Sequence, residues 1–196
     1  MAIKELENNV QLNEKEMICL KRFNTKKLVL SALFAALTCA CTMAVTIPTP
    51  TGGYVHAGDC FIILAGVILG PVAGGLAGGI GSMLSDIFLG YLSYAPATFI
   101  IKFLAAFAVG LIFHFTRKLS NSNGTRILQF TICGFVSSLI VIVGYFLYEW
   151  LLTNNVLSAA LSGIVGNSLQ GLTSILLSTL LYSIIPRGYL QESLSQ

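Results

Sequence analysis

DCFIILAGVILGPVAGGLAGGIGSMLSDIFLG, residues 59–90, carries no charge between Asp59 and Asp86 and is interrupted only by the pair Gly70-Pro71. The pair divides it into apolar segments at 59–70 and 72–90. The second approaches the roughly 20 residues needed to cross about 30 Å of hydrocarbon. The first is short, and is expected to cross part of the core or to bend at Gly70-Pro71, which is tolerated where neighbouring protein satisfies the freed backbone groups. Glycines at Gly70, Gly74 and Gly78, with Gly75 and Gly79 beside them, form a stripe that lets another helix approach closely.

Outward from this stretch, further breaks fall at IPTPTGGYVHAGD (47–59), GYLSYAP (90–96), TRKLSNSNGTR (116–126) and EWLLTNN (149–155). They leave four more apolar segments, 28–47, 96–115, 127–148 and 159–185. The whole chain is 55% hydrophobic and only 10% charged, with a mean hydropathy of +0.83. Soluble domains are about 25% charged, so a water-exposed surface is not available from this composition. The reading is an all-α integral membrane protein with six transmembrane helices, multi-pass in the cell membrane.

Lysine and arginine set the orientation. Lys21, Arg22, Lys26 and Lys27 precede the first segment, Arg117, Lys118 and Arg126 separate the fourth from the fifth, and Arg187 follows the sixth. The intervening loops hold none, so the basic side faces the cytoplasm and both termini lie inside. Residues 1–24 read as a cytoplasmic extension, 25–188 as the membrane domain and 189–196 as a cytoplasmic tail. The net charge of +3 belongs to this topology and does not call for nucleic acid. Five cysteines without CxxC spacing support neither a disulfide framework nor a metal site. No HExxH, GxSxG, P-loop or paired catalytic carboxylate is present, so no enzymatic activity and no cofactor are expected.

The candidate ligand site lies in the outer half. Asp86 and Lys102 sit inside predicted hydrocarbon, where each costs about 2.5–3.5 kcal/mol unless compensated. The turn between their segments brings them to similar depth, and an Asp86–Lys102 salt bridge is expected. Such a pair either belongs to a polar ligand site or pins two helices. Asn167 and Gln170 in the last segment lie at the same depth. Amides supply both donors and acceptors, which suits the edge of a neutral heterocycle, although interhelical hydrogen bonding is the alternative. Tyr54 and His56 lie in the first outer loop, which reads either as a cap over an outward-facing pocket or as an ordinary connection. Asp59 is expected to be the N-cap of the short segment. Tyr145 and Glu149, at the outer end of the fifth segment, complete the set, with tyrosines at that level also suited to an interfacial belt. Ala32, Ala36 and Ala40 form a flat stripe on the first segment, suited to a partner helix.

The stripe in SALFAALTCA (31–40), the phrase GGYVHAGDCFIILAGVILGPVAGGLAGGIGSMLSDI (52–87) and GNSLQ (166–170) together resemble the substrate-binding S components of energy-coupling factor (ECF) transporters, in the riboflavin-type and hydroxymethylpyrimidine-type branch. The resemblance covers nearly the whole chain after Lys26. It implies a six-helix subunit that captures a small heteroaromatic vitamin or precursor from outside, such as hydroxymethylpyrimidine, a pyridoxine-like compound or riboflavin. It further implies docking of the Ala32/Ala36 face on a transmembrane T component, with uptake driven by two ATPase subunits. Asn167 and Gln170 match recurrent residues of the family, while Val165 stands where many members have proline. Two readings of another class are a stand-alone carrier or channel, with Asp86 and Lys102 as an ion relay, and a noncatalytic scaffold.

Overall fold

In the computed structural model, residues 25–48, 54–116, 122–153 and 157–185 are described. Gly70 adopts φ +82° and ψ −179°, a conformation essentially restricted to glycine, and Pro71 begins the next helix in the position where its missing N–H costs nothing. The break therefore yields two helices rather than one bent one: α2 over Asp59–Leu69 and α3 over Pro71–Leu89. The other helices are α1 (Thr25–Ala44), α4 (Ala95–Thr116), α5 (Asn123–Leu152) and α6 (Leu157–Ile184). Between α1 and α2 a small antiparallel hairpin pairs β1 (Thr46–Pro48) with β2 (Tyr54–His56), with Thr46 opposite His56 and Pro48 opposite Tyr54.

Five of the helices, all but α2, are long and apolar enough to cross a membrane. At 11 residues, α2 is about 16 Å long. It is also the most enclosed helix: Ile63, Leu64 and Val67 meet Val109 and Phe113 of α4, Phe130 and Cys133 of α5, and Ile175 and Tyr182 of α6 in one core cluster. Large apolar side chains on the outer faces, among them Leu104, Leu139 and Leu176, are exposed, as a lipid-facing surface requires.

Two boundaries differ from expectation. A capping box starts α5, with the Thr125 N–H donating to Ser122 Oγ and the Ser122 N–H donating to Thr125 Oγ1, so the helix begins at Asn123 and absorbs the end of the predicted loop. At its other end α5 continues to Leu152, which puts Glu149 in a helix rather than in the expected break. The residues of the predicted cytoplasmic segments 1–24 and 189–196, with Lys21, Arg22, Arg117, Lys118 and Arg187, lie outside the described residues.

The end of α3 sets up the site. Gly90 takes the left-handed conformation and the chain closes a Schellman motif, with the Tyr91 N–H donating to the Asp86 carbonyl at 2.8 Å and the Gly90 N–H to that of Ile87 at 3.2 Å. Asp86 thus occupies the last turn of α3, and the Tyr91 ring packs at a 45° tilt on Tyr54 of the hairpin, with 4.6 Å between ring centroids.

Candidate functional site

The helix ends around the hairpin enclose a polar cluster in two layers. The deeper layer is ionic. Lys102 of α4, fully buried, donates to both carboxylate oxygens of Asp59 at 2.6 and 2.8 Å. Gln170 of α6 donates through Nε2 to Asp59 Oδ2 at 2.7 Å and accepts at Oε1 from the His56 backbone N–H at 2.9 Å. One chain of bonds therefore links α4, α2, α6 and β2. A buried charge pair is tolerable only when its remaining hydrogen-bonding capacity is also met, and Gln170 contributes to that here.

This arrangement corrects two expectations. Lys102 pairs with Asp59, not with Asp86: the Asp59 carboxylate turns toward α4 in the deeper layer, while Asp86 faces Tyr54 in the layer above. Asp59 is not an N-cap: Gly58 holds that position without a side-chain cap bond, and Asp59 is the first helical residue with its carboxylate turned inward.

His56 is buried beside this layer. Its Nδ1 accepts from the Gly58 N–H at 3.1 Å and lies 3.3 Å from Thr42 Oγ1, which assigns the proton of the neutral ring to Nε2, 3.9 Å from Asp59 Oδ1. Burial pushes its pKa down to about 4; the Asp59 carboxylate pulls the other way, and Lys102 adds to the lowering. His56 is therefore neutral at physiological pH.

The upper layer surrounds a cavity. Tyr54 and His56 of β2 and Asp86 of α3 line one side, and Tyr94 just before α4, Thr98 of α4, Tyr145 and Glu149 of α5, and Asn167 of α6 complete it. The Tyr54 hydroxyl donates to Asp86 Oδ1 at 2.6 Å, and burial together with that carboxylate raises the phenol pKa. The Thr98 and Tyr145 hydroxyls are 2.9 Å apart, and the Tyr145 ring centroid lies 5.2 Å from Lys102 Nζ, which ties the two layers together. Glu149, 3% exposed, lies against Gly163 of α6, where a β-carbon would overlap its carboxylate.

Six of the eight residues predicted as substrate contacts thus meet at one cavity, while Lys102 and Gln170 lie in the ionic layer beneath it. Sequence reading did not single out Thr98 or Tyr94. Tyr94, just before α4, and Thr98 and Lys102 within it recur at intervals of four, which was the available signal. On α1, Ala32, Ala36 and Ala40 are all exposed and line an open groove of about 880 Å³ shared with Leu76 and Ile80 of α3.

Comparison with known proteins agrees with this architecture. A solved structure described as that of the S component of a bacterial ECF transporter is similar with a TM-score of 0.60 at 20% identity, covering 81% of this chain and 94% of that one. The S component for biotin from an ECF-type ABC transporter gives 0.58 at 18% identity, covering 81% and 91%. At these identities the likeness is one of fold. An "Uncharacterized protein in gap 3'region" of Pyrococcus woesei is 39% identical over 105 residues, which is 53% of this chain and 65% of that relative's length. The model of the ECF-type riboflavin transporter S component family matches residues 22–187. The chain is therefore an integral membrane protein that belongs to the family of ECF-type transporter S components.

Proposed function

We propose that this S component captures a small heteroaromatic vitamin or vitamin precursor from outside the cell, with hydroxymethylpyrimidine, pyridoxine-like compounds and riboflavin as the first choices. It hands that substrate to a T component and two ATPase subunits for ATP-driven uptake. The convergence of Tyr54, His56, Asp86, Tyr145, Glu149 and Asn167 on one cavity beneath the hairpin carries this reading. Tyrosine rings offer flat walls for a heterocycle, and the carboxylates and the amide offer partners for its edge. Lys102 and Gln170 form the floor that fixes the hairpin above α6. In this topology α2 counts as a sixth crossing helix, both termini face the cytoplasm and the hairpin faces outward. The exposed Ala32, Ala36 and Ala40 supply the face for the T component.

The cavity encloses about 20 Å³, far below the roughly 300–1,000 Å³ of small-molecule sites. Capture therefore requires the hairpin to part from the ends of α3 and α6. The test is thermal unfolding of the purified chain in detergent against a panel of vitamins and precursors. One member is expected to raise the melting temperature in a concentration-dependent way. A flat response to the whole panel, with no compound carried through purification, contradicts the reading.

A further inference from the structure

Among the described residues, three carboxylates and one lysine lie around this site. Between Lys27 and Arg117 the chain holds one basic residue, Lys102, and between Arg126 and Arg187 it holds none. The same part of the chain, from Lys27 to Arg187, contains three acidic residues, Asp59, Asp86 and Glu149, and all three are buried around the site. Lys102 is committed to Asp59 through both carboxylate oxygens. Asp86 and Glu149 both line the cavity. Among the described residues no lysine or arginine lines it with them. Asp86 is 3% exposed; its Oδ1 accepts from Tyr54, and its Oδ2 has no hydrogen-bond partner among the described residues.

Resting on the reading above, we infer that the cavity selects a small aromatic heterocycle bearing a protonated or exocyclic amino nitrogen, with Asp86 as its acceptor. A buried carboxylate with an unmet oxygen is costly to desolvate, and an N–H donor or a cation offsets that cost. Hydrogen bonds to a charged group are about twice as strong as neutral ones, so the gain falls on ligands that donate. Tyr54, Tyr94 and Tyr145 add ring faces of the kind that attract cations. A ligand that presents mainly carbonyl oxygens meets acceptors where it needs donors.

The test compares matched ligands by isothermal titration on the purified full chain in nanodiscs at neutral pH. The pairs are pyridoxamine against pyridoxine, and hydroxymethylpyrimidine against its analogue with a hydroxyl in place of the ring amino group. Riboflavin serves as the acceptor-rich reference. The amino member of at least one pair is expected to bind about tenfold or more tightly than its partner, and Asp86→Asn is expected to erase most of that preference. Because the matched pairs are measured on the unaltered chain, the result holds even if the variant does not fold. Equal or tighter binding of pyridoxine, the hydroxyl analogue or riboflavin overturns the inference and leaves the capture of vitamin-like substrates standing. Failure of all five to bind overturns the inference, and the capture of vitamin-like substrates falls with it only if the wider vitamin panel is also flat and no compound is carried through purification.

Discussion

Lys102 and Asp59 illustrate how little freedom a charge has at this depth. Removing the lysine leaves a carboxylate buried with only Gln170 and the distant His56 ring to compensate it, and such a loss typically costs about 3–5 kcal/mol. Lys102→Met is therefore expected to lower the melting temperature sharply, while adding Asp59→Asn to it recovers much of the loss, because a neutral amide no longer requires a cation. Thermal unfolding of the single and double variants checks this. His56 gives a second prediction. Its folded pKa of about 4 lies below the ordinary value of 6.5, so between these values the unfolded state binds the extra proton. The hairpin is thus fully held above about pH 6.5 and loses up to roughly 3 kcal/mol as the pH falls toward 4. Amide hydrogen exchange of Val55 and His56, followed across that range, should accelerate on acidification; a flat profile would show that His56 is not buried as described. The lysine's partner was not legible from sequence, because segment lengths give depth whereas pairing depends on helix rotation.

At the level of elements, breaks and caps decide the outcome. The short α2 was visible as the run between Asp59 and Gly70, since the chain must turn at a Gly-Pro pair that ends one helix and starts the next. The start of α5 was not, because a Ser-Asn-Gly-Thr sequence looks like loop until the reciprocal bonds of Ser122 and Thr125 are formed. Gly70→Ala is expected to destabilise by about 1–3 kcal/mol although a β-carbon there would touch nothing, because the cost lies in the backbone conformation. A thermal-unfolding series of Gly70→Ala beside Gly124→Ala, also in open surroundings but with no positive φ, separates strain from crowding. Gly163→Ala acts differently. The overlapping atoms belong to the end of the Glu149 side chain, which can swing aside, so the melting temperature should change little while ligand affinity falls. A loss of stability larger than the loss of affinity would indicate that α5 and α6 cannot give way there.

Across the whole molecule, the basic residues described outside the site, Lys26, Lys27 and Arg126, stand near the starts of α1 and α5, while buried acids, tyrosines and amides gather under the hairpin. That asymmetry was legible in the sequence, as were the all-helical class and most of the residues that meet at the cavity, because uncharged segments and the few charges within them dominate a membrane chain. The two-layer arrangement was not, since it depends on which face of each helix turns inward. Ala32, Ala36 and Ala40 of α1 line the open groove, and none of them lines the cavity. Ala32→Leu with Ala36→Leu should therefore leave ligand binding by the isolated chain unchanged while preventing copurification with a T component. Capture of substrate in the cavity beneath the hairpin is tested most directly by mass spectrometry of the small molecules released from the purified chain, with Asn167→Leu purified beside it. The unaltered chain should release one vitamin-like compound in near-stoichiometric amount, and the variant, folded with a similar melting temperature, should release almost none. Equal release from both, or none from the unaltered chain together with no response to added vitamins, would contradict it.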